Sequence, residues 1–150
     1  MLIRWALAVL HLMGLGVGLG AIWARARGLE RIQAQRAVMP QVLAADSWWG
    51  VSALVWIGTG LWRLLAGTEK ATAWYLGNPV FWTKMGLLLL ILVLELLPMV
   101  TLIRWRVGLA KGHPVDLSGA GLLARISYLQ TGLIVLMVAA ATALARGFFQ

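Results

Sequence analysis

Four apolar runs, roughly Trp5 to Ala24, Trp48 to Ala66, Val80 to Ile103 and Ile126 to Ala145, constrain this chain more than any other feature. Each approaches the about 20 residues that an α-helix needs to cross the hydrocarbon of a bilayer. The 150 residues therefore read as a single transmembrane domain over 1–150, all-α, an integral membrane four-helix bundle. Composition agrees, since 61% of the residues are hydrophobic and the mean hydropathy is +0.86, beyond the range of an ordinary soluble domain. The first run resembles a secretory signal peptide in following Arg4 and meeting small residues near Ala24. Its apolar part is too long for one, and the basic cluster behind it resists export, so it reads as a retained helix.

Loop charge sets the expected orientation. The first connection carries Arg25, Arg27, Arg31 and Arg36 against Glu30, and the third carries Arg104, Arg106, Lys111 and Arg125 against Asp116. Both should face the cytoplasm, which leaves both termini on the outer side of a bacterial inner membrane. The second connection, with Lys70 beside Glu69, fits the outside. Tryptophans such as Trp5, Trp23, Trp48, Trp62, Trp82 and Trp105 fall near helix ends, where an amphipathic ring anchors at the headgroups. In "GNP", Asn78 is a candidate N-cap with Pro79 as first helical residue, and "KGHPVDLSGAG" reads as a turn-rich connection.

Several chemistries are excluded. The absence of cysteine removes disulfides, thiolate metal sites, iron–sulfur clusters and covalent haem attachment. The 13 Lys and Arg outnumber 5 Asp and Glu, but they flank the apolar runs instead of forming one patch, so no nucleic-acid partner is expected. No HExxH, no Ser/His/Asp set and no paired carboxylates at one depth support hydrolysis. His11 and His113 fall on opposite sides of the membrane and cannot share a metal.

Ionisable side chains within a span are costly and mark functional candidates. His11 lies about 10 Å and Lys84 about 8 Å from the outer ends of their spans, a similar depth. Lys84, Leu88, Ile91 and Glu95 follow i, i+4, i+7 and i+11, one stripe that should face the bundle. Glu95 lies roughly 16 Å deeper than Lys84. Its expected partners are Arg125, Gln130 or Arg25, in a polar network that can be purely structural. His11 shares its face with Gly14 and Gly18, a groove without side chains. Two uses stay open for that groove: close approach of another helix, with the imidazole bonding across it, or a seat for a flat ligand such as a porphyrin beneath a histidine.

"LHLMGLGVGLGAIWARARGL", "WWGVSALVWIGTGLWRLL", "FWTKMGLLLLILVLELLPMVTLIRW" and "ARISYLQTGLIVLMVAAATALARG" together resemble a bacterial family of predicted four-helix membrane proteins of unknown function, over nearly the whole chain. More distantly, the layout is similar to the HemJ family of membrane protoporphyrinogen oxidases and to CopD-like membrane proteins. HemJ-like proteins carry a first-helix histidine followed by a glycine and then a basic residue, matched by His11, Gly14 and Arg27, and a lysine early in the third helix, matched by Lys84. The resemblance implies b-type haem with His11 as metal ligand, Gly14 and Gly18 in the cofactor site, and Lys84 as a catalytic residue. The third helix of those proteins also carries a histidine where this chain has Glu95, which leaves the second axial ligand open. A haem or tetrapyrrole role is thus one expectation. The other is a non-catalytic accessory subunit, a homo-oligomer or part of a larger membrane complex, for which glycine grooves and a satisfied polar core suffice.

Overall fold

The computed structural model describes residues 1–66 and 72–147. It is all-helical there: α1 (Leu2–Arg31), α2 (Met39–Leu65), the short α3 (Thr72–Leu76), α4 (Pro79–Ala110) and α5 (Ala120–Ala145), with a 3-10 turn at Arg36–Val38. Gly67 to Ala71, including the expected outer pair Glu69 and Lys70, lie outside the described residues. The long helices run past the apolar cores at one end of the bundle. Arg25, Arg27 and Arg31, expected in a connection, are helical, because the Arg-, Ala- and Leu-rich run from Ala24 onward continues the helix that the membrane segment nucleates. Pro40 is tolerated in the first turn of α2, where its missing N–H has no helical acceptor to lose.

Among the described residues three helices are long and apolar enough to cross a membrane: α1, α4 and α5, with mean hydropathy 1.9, 2.6 and 1.8 over their most apolar stretches. The fourth, α2, spans 27 residues, but tryptophans, glycines and hydroxyl residues dilute its apolar content. Asn78 caps α4 as its sequence suggested, its Oδ1 accepting from Val80 N at 2.8 Å with Pro79 next in line. After α4 the chain turns through Gly112 at φ +71°, and Asp116 accepts from Ser118 N and Ser118 Oγ, both at 2.9 Å. Those two hydrogen bonds hold the exposed Asp116 carboxyl below its usual range.

α1 packs against both α2 and α5, and α5 packs against α4, whereas α2 and α4 approach each other far less. The α1–α2 contact is close because small residues line it. A Cβ on Gly14 would stand 3.2 Å from Trp56 N and Val55 Cγ1, one on Gly18 3.3 Å from Ser52 Cβ, and one on Gly28 only 2.6 Å from Val42 Cγ2. Gly14, Gly18, Ala21, Arg25 and Gly28 form one i, i+4, i+7, i+11, i+14 stripe, all buried. The Gly14–Gly18 groove is therefore a helix contact. It cannot seat a flat ligand as one expectation had it, because Trp49, Ser52, Val55 and Trp56 of α2 fill it.

Two apolar cores result. One, nearer the middle, joins Ile22, Trp49, Trp56, Ile91, Ile134 and Met137. The other joins Leu29, Ile32, Val42, Leu102, Trp105 and Leu123 at the arginine-rich end, here called the basic end. A layer of charged side chains lies between them, centred on Arg25.

Candidate functional site

Arg25 is fully buried, at 0% exposure, on the α1 stripe that faces the bundle. Its Nε donates to Ser127 Oγ at 3.2 Å, Nη1 to Asp46 Oδ1 at 2.9 Å and Glu95 Oε1 at 2.6 Å, and Nη2 to Glu95 Oε2 at 2.8 Å and Gln130 Oε1 at 3.1 Å. A guanidinium has five N–H donors, and each of these contacts takes one. Gln130 Nε2 donates in turn to Glu95 Oε2 at 2.9 Å and Ile91 O at 3.1 Å, and Ser127 Oγ to Leu123 O at 2.9 Å. Arg106 completes the layer from α4, its Nη2 reaching Asp46 Oδ2 at 3.0 Å and the Leu43 carbonyl.

Two arginines against two carboxylates leave the layer neutral, and one arginine on α1 ties together α2, α4 and α5. This is how charge is tolerated at such depth: every group is paired and hydrogen-bonded. Arg25 and Gln130 are thus the partners of Glu95. Arg125 is not. It is exposed, because its position on α5 is about half a turn away from the buried Leu123, Ser127, Gln130 and Ile134. Asp46, Arg106 and Ser127 belong to the network without having been singled out for it.

The second polar region lies at the opposite end, where α1 begins and α5 ends. There a cavity of ≈ 390 Å³ is lined by residues of all the helices, among them His11, Gly60, Arg63, Tyr75, Lys84 and Thr142. His11 and Lys84, placed at one depth by counting, do share this cavity. No Asp or Glu is among its described lining residues, and most of its wall is apolar or aromatic. The stripe Lys84, Leu88, Ile91 and Glu95 faces inward as its spacing required, with Ile91 at 0% exposure. Lys84 thus marks the cavity and Glu95 the charged layer, about three turns of α4 apart.

His11 is held from α2. Its Nδ1 lies 3.0 Å from Thr59 Oγ1, and its Cε1 lies 3.1 Å from where a Cβ would stand on Gly60. The ring meets Trp56 edge-on, with centroids 6.5 Å apart. Thr59 and Gly60 went unnoticed in the sequence. Nothing in the local pattern around "GTG" separates them from the rest of the apolar run.

The family model described as "Predicted membrane protein (DUF2214)" matches residues 3–148. The chain belongs to the DUF2214 family. No curated protein and no solved structure matches it.

As a DUF2214 member the chain is a predicted membrane protein of unknown function, and its chemistry has to be read from its own side chains. Among the described residues no cluster of three or more His, Asp or Glu could hold a metal by itself. His113 is exposed in the connection after α4, at the far end from His11. What the cavity can do chemically is receive an anionic group beside Lys84 and present one imidazole to whatever carries it.

Proposed function

We propose that this DUF2214 protein crosses the bacterial inner membrane four times, with both termini outside, and binds a carboxylate-bearing tetrapyrrole in the outer-half cavity, haem b being the specific candidate. The observation that carries the reading is that His11 and Lys84 line one cavity free of acidic side chains among its described lining residues. α2 counts as the fourth span because it lies along α1 through the Gly14, Gly18 and Gly28 contacts and so shares its depth. The excess of arginine at the basic end argues for a cytoplasmic position there.

The donor set fits such a ligand in two respects. His11 engages Thr59 through Nδ1, which leaves Nε2 for iron, and the Lys84 ammonium suits a propionate. Bound haem would supply a redox-active iron. The protein's part is to hold it, to neutralise its carboxylate, and to wall it with apolar and aromatic side chains such as Phe81 and Trp74. The seat is the cavity, since the Gly14–Gly18 groove is closed by α2. His113 is too remote to take part, so among the described residues His11 is the histidine that would hold the iron.

Haem-replete expression followed by an absorbance spectrum of the purified protein tests this. A Soret band lost in His11→Ala and weakened in Lys84→Ala is expected. A colourless wild-type protein would favour a second reading, that of an accessory subunit in a larger membrane complex. The filled glycine groove supports that alternative, because it already gives Gly14 and Gly18 a packing role.

A further inference from the structure

Thr59 stands on α2 among three groups that compete for its single hydroxyl proton. Its Oγ1 lies 2.7 Å from the Val55 carbonyl, 3.2 Å from the Trp56 carbonyl and 3.0 Å from His11 Nδ1. Carbonyl oxygens only accept, so the short contact to Val55 takes the proton. Toward His11 the Thr59 oxygen is then an acceptor, and Nδ1 must carry hydrogen. A neutral imidazole protonated on Nδ1 has its lone pair on Nε2.

Gly60 adds a steric constraint. With no Cβ at that position, the Nδ1–Cε1 edge of the ring rests directly against α2, and Nε2 is carried on the edge away from Thr59. Histidine in water prefers the opposite tautomer, with hydrogen on Nε2, so the arrangement reverses the intrinsic preference.

We propose that Thr59 is a positioning residue: it fixes His11 as the Nδ1–H tautomer and so makes Nε2 the vacant nitrogen of the outer cavity. This rests on the reading of that cavity as the ligand site. It extends that reading by naming which nitrogen receives the ligand's metal or a proton, and what selects it. The same logic governs histidine ligands elsewhere, where the group bonded to the second ring nitrogen sets tautomer and orientation and its loss lowers affinity about ten- to a hundredfold.

The test is ring-nitrogen NMR on the full-length protein in lipid nanodiscs, labelled with 15N-histidine and held above the pH where imidazole is charged. A His113→Asn background leaves His11 as the one histidine. The wild-type ring should show Nδ1–H. Thr59→Ser should keep it, and Thr59→Val, which removes the hydroxyl acceptor at nearly constant shape and leaves only the Trp56 carbonyl beside the ring, should raise the Nε2–H share measurably. An Nε2–H ring in the wild type would overturn the proposal without any variant, and so would a Thr59→Val ring whose Nε2–H share does not rise. Should Thr59→Val fold poorly, Thr59→Ala carries the same expectation. Haem titration of the same samples is the functional arm, with about tenfold or greater loss in Thr59→Val and less than about twofold in Thr59→Ser. A wild type that takes up no haem but shows Nδ1–H would sink the tetrapyrrole reading and support the tautomer assignment, so the two failures separate.

Discussion

Arg25 grips both carboxylate oxygens of Glu95, Nη1 to Oε1 at 2.6 Å and Nη2 to Oε2 at 2.8 Å, although the two residues lie 70 positions apart. A planar fork on a carboxylate is the strongest geometry such a pair can take. Buried here, it joins α1 to α4, two helices that otherwise meet mostly through α2 and α5.

Removing one member of that layer should therefore cost far more than the layer contributes as a whole. Arg25→Met leaves Glu95 and Asp46 facing each other without their shared cation, and a loss of about 3–5 kcal/mol is expected. Adding Glu95→Gln to it should recover part of that loss, because Glu95 is the carboxylate left without a cation, whereas Asp46 keeps Arg106. Unfolding free energies of both single variants and the double variant in mixed micelles check this. Strictly additive losses would mean that the two side chains do not depend on each other.

Arg106 offers the contrast. It bonds the same Asp46 at 3.0 Å, but its side chain is 36% exposed. Solvent screens such a pair and long side chains lose entropy in making it, so Arg106→Ala should cost no more than about 1 kcal/mol. Raised salt should shrink the difference further. A penalty comparable to that of Arg25→Met would show that the α2–α4 side depends on Arg106 far more than its exposure allows.

How much of this was legible in the sequence follows the kind of signal each residue carries. Apolar run length gave helix type and rough extent, and the Lys84–Glu95 stripe gave an inward face, because both are periodic along one helix. Arg25 was named as a partner of Glu95, yet it also counted among the loop cations, since hydropathy stops at Ala24 while the helix does not. Its place on the stripe with Gly14 and Gly18, at i+11 and i+7, was the stronger clue. Asp46 and Arg106 lie past the apolar runs assigned to their spans, where a charge is ordinarily solvated, and nothing local distinguishes them. Whether the glycine groove took a helix or a ligand depended on what stands opposite it. That is Trp49, Ser52 and Trp56, some 35 positions away by sequence and in contact only once α2 has docked.

Glycines on α1 should respond to alanine according to what they face. Gly28→Ala puts a methyl 2.6 Å from Val42 Cγ2, inside the basic-end core, so overpacking should destabilise by about 1–3 kcal/mol. Gly16→Ala meets nothing within 4 Å and improves helix propensity, so stability should hold or rise by up to about 1 kcal/mol. Thermal aggregation midpoints of the two variants in one detergent give the comparison. The reverse order would mean that α1 presents another face to α2.

Trp56 makes the least expected case. It is only 3% exposed, in the mid-bundle core with Trp49, Ile91 and Met137, and large buried aromatics ordinarily cost about 3–5 kcal/mol when truncated to alanine. Its Nε1, however, is buried without a hydrogen-bond partner among the described residues. An unmet buried donor carries a penalty of about 1–3 kcal/mol, which phenylalanine would remove while keeping an aromatic ring against His11. The lost ring volume opposes that gain by a similar amount. Trp56→Phe should therefore fall within about 1 kcal/mol of wild type, and Trp56→Ala should not. Equilibrium unfolding of both variants measures the difference. A phenylalanine variant as damaged as the alanine one would show that the indole N–H is satisfied in the membrane, by an ordered water or a bound ligand, and would make Trp56 part of the site that His11 adjoins.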